Sequence, residues 1–342
     1  MVVRKLWITV VCLASLGASL HAQGQTPLRL VSTVWPPFTN AAGQARFALD
    51  LVDEALKRIG ARAETVFVDE AAFTPSILTG KYDGSAAAWK DAERERVLIF
   101  SEPYLENRLI LVGRRGSDVS AKTLAALSGK RIVVVGGYSY GDAVKDGSGP
   151  IFLRSSGEED SLAKLLASEA DYTLMDELVV KYILRNYPDQ SRDRLQIGST
   201  PLVTRSLHLA VRRDRPDAAN VINRFNAELR RMIADRTYHR LLHIDWLRAD
   251  VDGDGRTELI SRTDQAGLTP PTATYDLFLT TPSPSLSTPS SKPATPPPSG
   301  PRFYLGGNIY EDWASVPKNY KVPESNWNEP GRSTGTIFRF TW

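Results

Sequence analysis

The chain has 342 residues, 42% of them hydrophobic and 24% charged, which is enough for two domains with cores of their own. Lys and Arg number 42 against 39 acids, a formal balance of +3, so a dedicated nucleic-acid binder with a strong basic field is excluded. A single cysteine excludes a disulfide scaffold and a cysteine-built zinc site.

Residues 1–22 read as a secretory signal. Arg4 and Lys5 form a basic start, an apolar run extends from Leu6 to Leu20, and the chain turns polar after Ala22. About 15 apolar residues are too few to cross a bilayer core of roughly 30 Å as a helix. A buried N-terminal helix is the competing reading, but the charge order and the Ala22-Gln23 boundary favour export to the periplasm. Cys12 lies inside the apolar run, preceded by Val11 where a lipoprotein signal needs a small residue. The mature chain is then cysteine-free and suited to an oxidising compartment.

From residue 28 to about 246 strand and helix patterns alternate. An apolar run at 28–34 ends at Trp35-Pro36-Pro37-Phe38, where the prolines stop a strand. Ala48, Leu51, Val52, Ala55, Leu56 and Ile59 make one apolar helical stripe closed by Gly60. Buried strands are predicted at 65–68, 84–88, 109–112, 131–135 and 172–175, and helices at 162–170, 177–187 and 218–233. Such alternation implies parallel sheets with helices on both faces. Roughly 220 residues exceed what one such sheet needs, so two α/β lobes are expected.

Past Trp246 the character changes. Asp250-Val251-Asp252-Gly253-Asp254-Gly255 places oxygens at positions 1, 3 and 5 of an EF-hand-type loop, with Gly for the sharp turn. The Arg256 carbonyl and the Glu258 carboxylate fall at positions 7 and 9. Position 12 is Ser261 rather than Glu, so a stand-alone calcium loop is expected, or else a flexible acidic turn. Eight of the 22 prolines then crowd into residues 280–301, a Pro/Ser/Thr-rich linker. Nine of the 30 aromatic residues fall in 302–342. That tail reads as a docking segment, as a small self-packed β element or, from its terminal Phe338-Arg339-Phe340-Thr341-Trp342, as a strand of barrel type.

Within the alternating core five pieces stand in order: Trp35-Pro36-Pro37-Phe38; Asp83-Gly84 with Glu93-Arg94 and Phe100-Ser101-Glu102-Pro103-Tyr104; Gly129-Lys130-Arg131-Ile132-Val133-Val134-Val135-Gly136; Ala170-Asp171-Tyr172-Thr173-Leu174-Met175-Asp176; and Asp235-Arg236-Thr237-Tyr238 running to Trp246. Over about residues 28–246 the chain resembles the family 3 periplasmic solute-binding proteins, receptors for polar amino acids and related solutes.

The resemblance implies an α/β, two-lobed periplasmic binding protein of type II with the ligand cleft between the lobes. Residues 23–112 and 206–249 would form lobe 1 and residues 113–205 lobe 2, with 250–261 as the acidic loop, 262–301 as the linker and 302–342 as the tail. The crossings near 108–112 and 206–211 would be the hinge. It also implies that Arg94 holds the solute's carboxylate and Asp176 its ammonium. A planar guanidinium suits the first role, because it bonds a carboxylate bidentately. Asp176 is equally suited to capping the helix at 177–187. Trp35, Phe38 and Trp89 would pack against ligand carbon or else simply in the core, and the Gly137-Tyr138-Ser139-Tyr140 turn would hold an anionic group through its backbone N–H groups and the Ser139 hydroxyl, with Tyr140 also beside the ligand. Where the family often has Thr, this chain has Ala87-Ala88-Trp89-Lys90, which alters the volume and charge of the pocket.

The function so implied is capture of a small carboxylate-bearing solute by clamshell closure, without cofactor or catalysis. The receptor would be monomeric, would hand its solute to an ABC permease in the inner membrane, and would carry at most a structural calcium. An exported dehydratase of the cyclohexadienyl type shares the fold and would use a cleft acid, Asp176 or Glu177, as proton donor. A ligand-sensing receptor module is a further alternative. Gly137-Tyr138-Ser139-Tyr140-Gly141 also matches the nucleophile elbow of a hydrolase, with Asp176 and His208 later in the chain. His239 and His243, four apart on a helix without a following Glu, read as a solvated face rather than a metal site.

Overall fold

The computed structural model describes residues 26–243, 246–251, 254–264, 266–270, 275–276 and 300–321. Lobe 1 opens with β1 (Leu28–Ser32), α1 (Phe47–Arg58), β2 (Ala63–Phe67), α2 (Glu70–Leu78), β3 (Gly84–Trp89) and β4 (Leu98–Phe100). β1 lies between β2 and β3 and runs parallel to both. α1 buries Ala48, Leu51, Val52, Ala55 and Leu56 against the sheet, the stripe its periodicity predicts. Burial is worth roughly 1.5–3 kcal/mol for each of the larger side chains. On the other face Ile77 and Phe73 of α2 meet Val31, Tyr82 and Leu98.

The chain then crosses on β5 (Leu105–Arg114) into lobe 2, which holds β6 (Arg131–Val135), β7 (Ile151–Ser155), α3 (Glu158–Leu166), β8 (Tyr172–Asp176), α4 (Glu177–Asn186) and the short α5 (Pro188–Ser191). It returns on the 18-residue β9 (Leu195–Arg212), followed by α6 (Ala218–Ala234) and α7 (Thr237–Leu242). The strand order β2-β1-β3-β9-β5-β8-β6-β7 joins two parallel half-sheets through the antiparallel pair β5 and β9. Register shifts fall on either side of Ile110, at the middle of that crossing. Bulges there let the two half-sheets twist independently. β3 approaches β9 so closely that a Cβ on Gly84 would lie 1.9 Å from the Ala210 carbonyl oxygen, which accounts for the glycine.

Several boundaries differ from the sequence reading. The first strand stops at Ser32, because the chain folds back at once and Trp35 pairs with Thr39, leaving Val34 56% exposed. α2 and β7 escape sequence reading: α2 contains Pro75 and lacks an apolar stripe, and β7 is an edge strand with little buried alternation. The helix expected at 162–170 begins at Glu158 and ends at Leu166. Its first turn holds Glu158, Glu159 and Asp160, which suit the positive end of the helix dipole, and Ser168 turns into the left-handed region just beyond it.

The chain continues into a second, five-stranded sheet in the order β12-β10-β11-β13-β14. It is built from β10 (Trp246–Ala249), β11 (Glu258–Ser261), β12 (Tyr275–Asp276), β13 (Arg302–Leu305) and β14 (Asn308–Tyr310). β11 and β13 are parallel partners, so the strand after the acidic loop and the first strand of the aromatic tail share one sheet. Gly306 and Gly307, both with positive φ, form the two-residue turn between β13 and β14. Leu259, Phe303, Leu305 and Val316 make its small core, with Trp313 against Phe303 at a ring distance of 5.0 Å. Residues 1–25, which hold the expected signal, lie outside the described residues, as do most of the linker and residues 322–342. Among the described residues no helix is long and apolar enough to cross a membrane.

Candidate functional site

The 3-10 turn Arg94–Arg96 follows β3 and delivers Arg94 to the cleft edge of lobe 1. Its side chain is buried at 3% exposure. Nη1 donates to the Trp89 carbonyl at 3.0 Å and Nη2 to the Thr74 hydroxyl at 2.7 Å. Nη2 also reaches the Gly137 carbonyl of lobe 2 at 3.5 Å, so the guanidinium touches both lobes. The Asp91 carboxylate lies 3.5 Å from Nε, and the Phe73 ring lies 5.3 Å below the guanidinium carbon. Burial lowers the pKa of Arg94, yet a guanidinium stays protonated at any ordinary pH.

Around Arg94 the lobes close on a cavity of about 40 Å³, lined by Trp35, Trp89, Glu70 and Arg94 from lobe 1 and by Tyr138 and Ser139 from lobe 2. Tyr138 stands edge-on to Trp35 at 5.7 Å and to Trp89 at 5.3 Å. Edge-to-face contacts of this kind suit the ring quadrupoles and fill the cleft with aromatic surface. Of the residues expected from the sequence, Trp35, Trp89, Arg94 and Ser139 line this space. Phe38 and Tyr140 stand one layer behind it: Phe38 packs under Trp35 at 4.3 Å, and the Tyr140 hydroxyl accepts from the Val135 backbone N–H. The Ser139 hydroxyl donates to Asp91, whose pKa is lowered despite its burial by bonds from Arg94 and Ser139.

Asp176 is fully buried at the end of β8. One oxygen caps α4, accepting from the N–H groups of Leu178 at 2.7 Å and Val179 at 3.4 Å. The other accepts from the Asn107 amide at 3.0 Å, and the Asn107 carbonyl accepts from the Trp89 indole N–H at 2.7 Å. Asn107, on crossing strand β5, thus ties a cleft aromatic of lobe 1 to an acid of lobe 2. The capping role foreseen for Asp176 is present in the structure.

Three carboxyls converge here, and two of them were not foreseen. Burial pushes Glu158 up to about 8, with Asp176 and Glu70 adding negative charge. It pushes Glu70 up to about 7, against a bond to Thr33 and the charge of Arg94. Asp176 also rises to about 7 through burial, opposed by Asn107 and the α4 N–H groups. Glu70 and Glu158 are the first residues of α2 and α3, helices whose starts the apolar periodicity does not mark. The available signal was the acid that follows a helix-entry residue, Asp69-Glu70 and Gly157-Glu158.

The other sequence candidates fall elsewhere. His208 bonds Ser101 through Nδ1 and Ser206 through Nε2, so it is engaged away from Ser139 and forms no Ser–His pair with it. Glu177 pairs with Arg108 at 2.9 Å and with Lys181. His239 is fully buried and bonds the Ile260 carbonyl of β11 at 3.1 Å, correcting the expectation of a solvated face, because the chain beyond α7 returns over this residue.

In the acidic loop, Asp250 accepts from the Gly255 N–H, and Asp254 accepts from the Arg256 N–H and from Arg302 at 2.9 Å. Glu258 begins β11, is fully buried, and lies 2.8 Å from Arg302, while the Arg256 side chain pairs with Glu311. Asp254 and Glu258 therefore meet a guanidinium 48 and 44 residues further on. Asp252 lies outside the described residues.

The family model for bacterial extracellular solute-binding proteins, family 3, matches residues 30–248. The chain belongs to that family. Its two-lobed architecture agrees with solved relatives. A variant of ArgBP from T. maritima is 27% identical with a TM-score of 0.53, over 64% of this chain and 93% of that one. The GluR0 ligand-binding core from Nostoc punctiforme, in complex with L-glutamate, shares the fold at 22% identity and a TM-score of 0.53, over 63% and 97%. So does the substrate-binding protein of an amino acid ABC transporter, at 20% identity and a TM-score of 0.51, over 63% and 96%. No curated protein matches. These three neighbours are binding proteins or ligand-binding cores.

Proposed function

We propose that the protein is the periplasmic substrate-binding component of an ABC importer and captures a small amino acid-like solute. The observation that carries this reading is the buried Arg94 guanidinium, facing the cleft and reaching both lobes. Its fork has the geometry for a carboxylate, which would outcompete the two carbonyls and the hydroxyl that Arg94 bonds. Asp176 stands behind the cavity wall, fully buried with both oxygens hydrogen-bonded, and would meet the solute's ammonium only once the cleft opens and the Asn107 amide gives way. Neighbouring ArgBP and the amino acid transporter's binding protein support an amino acid as the solute.

Capture follows from the topology. A cavity of about 40 Å³ has room for a water molecule but not for an amino acid, so the solute binds when β5 and β9 bend and Tyr138 withdraws from the two tryptophans. Closure over the solute then gains contacts from both lobes, and the closed state is stabilised by that difference in affinity. A permease reads the closed pair of lobes.

A dehydratase reading gains from one observation. Glu158, pushed up to about 8, carries its proton at neutral pH, as a general acid must. The test covers both readings: a thermal-shift screen of amino acids and organic acids on wild type and Arg94→Ala, with turnover of prephenate and arogenate followed in parallel. Stabilisation by an amino acid in wild type alone supports the receptor. No shift with any carboxylate, or equal shifts in both proteins, refutes it, and turnover moves the assignment to the enzyme.

A further inference from the structure

Each residue of the lobe 2 turn Gly137-Tyr138-Ser139 meets lobe 1 directly. The Gly137 carbonyl accepts from Arg94, the Tyr138 ring stands edge-on to Trp35 and Trp89, and the Ser139 hydroxyl donates to Asp91. Behind the turn, Arg205 of crossing strand β9 donates to the Lys90 carbonyl, and its Nη1 lies 3.1 Å from where a Cβ on Gly141 would stand. The protein's own groups thus join the lobes across the cleft, at the place where Arg94 faces inward.

The bond between Ser139 and Asp91 involves a full charge. One Asp91 oxygen accepts from the Arg94 backbone N–H at 2.8 Å and fixes the start of the 3-10 turn. The other lies 3.5 Å from Arg94 Nε and takes the Ser139 hydroxyl. Burial alone would raise the Asp91 pKa, but the bonds from Arg94 and Ser139 hold it below the ordinary value, so the group is ionised. A hydroxyl on a carboxylate makes a charge-assisted bond, roughly twice as strong as a neutral one. Asp91 therefore presents to Arg94 and to the lobe 2 turn the same group that a solute's carboxylate would present.

The geometry also sets this bond against the solute. With a cavity of about 40 Å³, a solute the size of an amino acid needs Tyr138 to withdraw from the two tryptophans. Ser139 is the next residue in the chain. A hydrogen bond fades beyond about 3.5 Å, so this one does not survive a displacement of the neighbouring ring large enough to admit a solute.

We propose that Asp91 and Ser139 form a catch that holds the lobes closed on each other and must open before the solute enters, so that Asp91 acts as a tethered competitor for the cleft. Ser139 then opposes the solute rather than holding it, the reverse of the anion-binding role that its turn suggests. The catch stands on the contacts between the lobes; its competition with the solute rests on the amino-acid reading above. Apparent affinity is scaled down to the fraction of molecules in which the catch is open.

Small-angle scattering of the whole protein without added amino acid, on wild type, Ser139→Ala and Ser139→Thr, reads the catch. Calorimetric titration of the same three proteins with L-glutamine, L-glutamate and L-arginine reads the competition. Ser139→Ala should have a larger radius of gyration than wild type. It should also bind whichever of the three the wild type binds more tightly, by on the order of 10-fold, the worth of one hydrogen bond to a charged group. Ser139→Thr keeps the hydroxyl and should match wild type in both. An unchanged radius in Ser139→Ala, or an equal opening in Ser139→Thr, overturns the catch. Equal or weaker binding by Ser139→Ala overturns the competition. A wild type that binds none of the three, beside an opened Ser139→Ala, overturns the amino-acid reading and leaves the catch standing.

Discussion

Glu158 weakens the fold at alkaline pH, and the size of the effect follows from its surroundings. An ordinary glutamate carboxyl titrates at 4.5, and burial beside Asp176 and Glu70 pushes Glu158 up to about 8. Below 4.5 both folded and unfolded chains hold the proton, and the residue costs nothing. Between 4.5 and about 8 the unfolded chain releases a proton that the folded chain retains, so stability falls as pH rises. Above about 8 the penalty is constant. At 1.36 kcal/mol per pH unit the whole interval amounts to about 4–5 kcal/mol, an upper limit because opening of the lobes lets water reach the carboxyl. About 2 kcal/mol is the working figure after that relief. Glu158→Gln keeps the shape and removes the charge, so it should raise the melting temperature of ligand-free protein by roughly 4–8 °C at pH 8.5. The gain should shrink to a small residue at pH 5. Melting curves of both proteins at the two pH values provide the assay. A gain of equal size at both, or a loss at pH 8.5, refutes the placement of a buried, uncompensated carboxyl at this position.

Other perturbations separate the parts of the molecule. Arg302→Met leaves Glu258 buried beside β13 without its guanidinium and should lower stability by about 3–5 kcal/mol, while the double variant Arg302→Met with Glu258→Gln recovers most of that in denaturant unfolding. An Arg302→Met protein as stable as wild type would contradict the buried pair. Burial pulls His208 and His239 down to about 4, against 6.5 ordinarily. Their contribution is intact above pH 6.5 and is lost as pH falls toward 4, where the unfolded chain takes up protons that the folded one refuses. His239→Gln should relieve that acid lability by on the order of 1–3 kcal/mol, seen as a lower midpoint in acid unfolding; an unchanged midpoint would place His239 in water.

The two-lobed core was legible in the sequence because its largest signals are local. The α1 stripe, the strand run 131–135 and the capping acid Asp176 each follow from spacing within a dozen residues. Arg94 was reachable because its neighbours Glu93 and Phe100-Ser101 form a recognisable string. Glu70 and Glu158 were not, since each opens a helix whose first turn carries no apolar period and their convergence is a fact of closure between lobes. Asn107 was hidden in the same way: one polar residue in a buried strand gives no pattern until Trp89 and Asp176 stand on either side. Composition separated the tail from the core but not its fold. The partnership of Arg302 with Asp254 and Glu258 spans a proline-rich stretch and leaves no periodic trace.

The central claim is that a buried guanidinium at position 94 holds the carboxylate of an amino acid between two closing lobes. Calorimetric titration of one amino acid that stabilises the wild type, repeated on Arg94→Ala, tests it most directly. The account predicts saturable one-to-one binding in wild type and a loss of at least on the order of 100-fold in Arg94→Ala, the cost of leaving a buried carboxylate unpaired. Binding of comparable affinity in both proteins would contradict it.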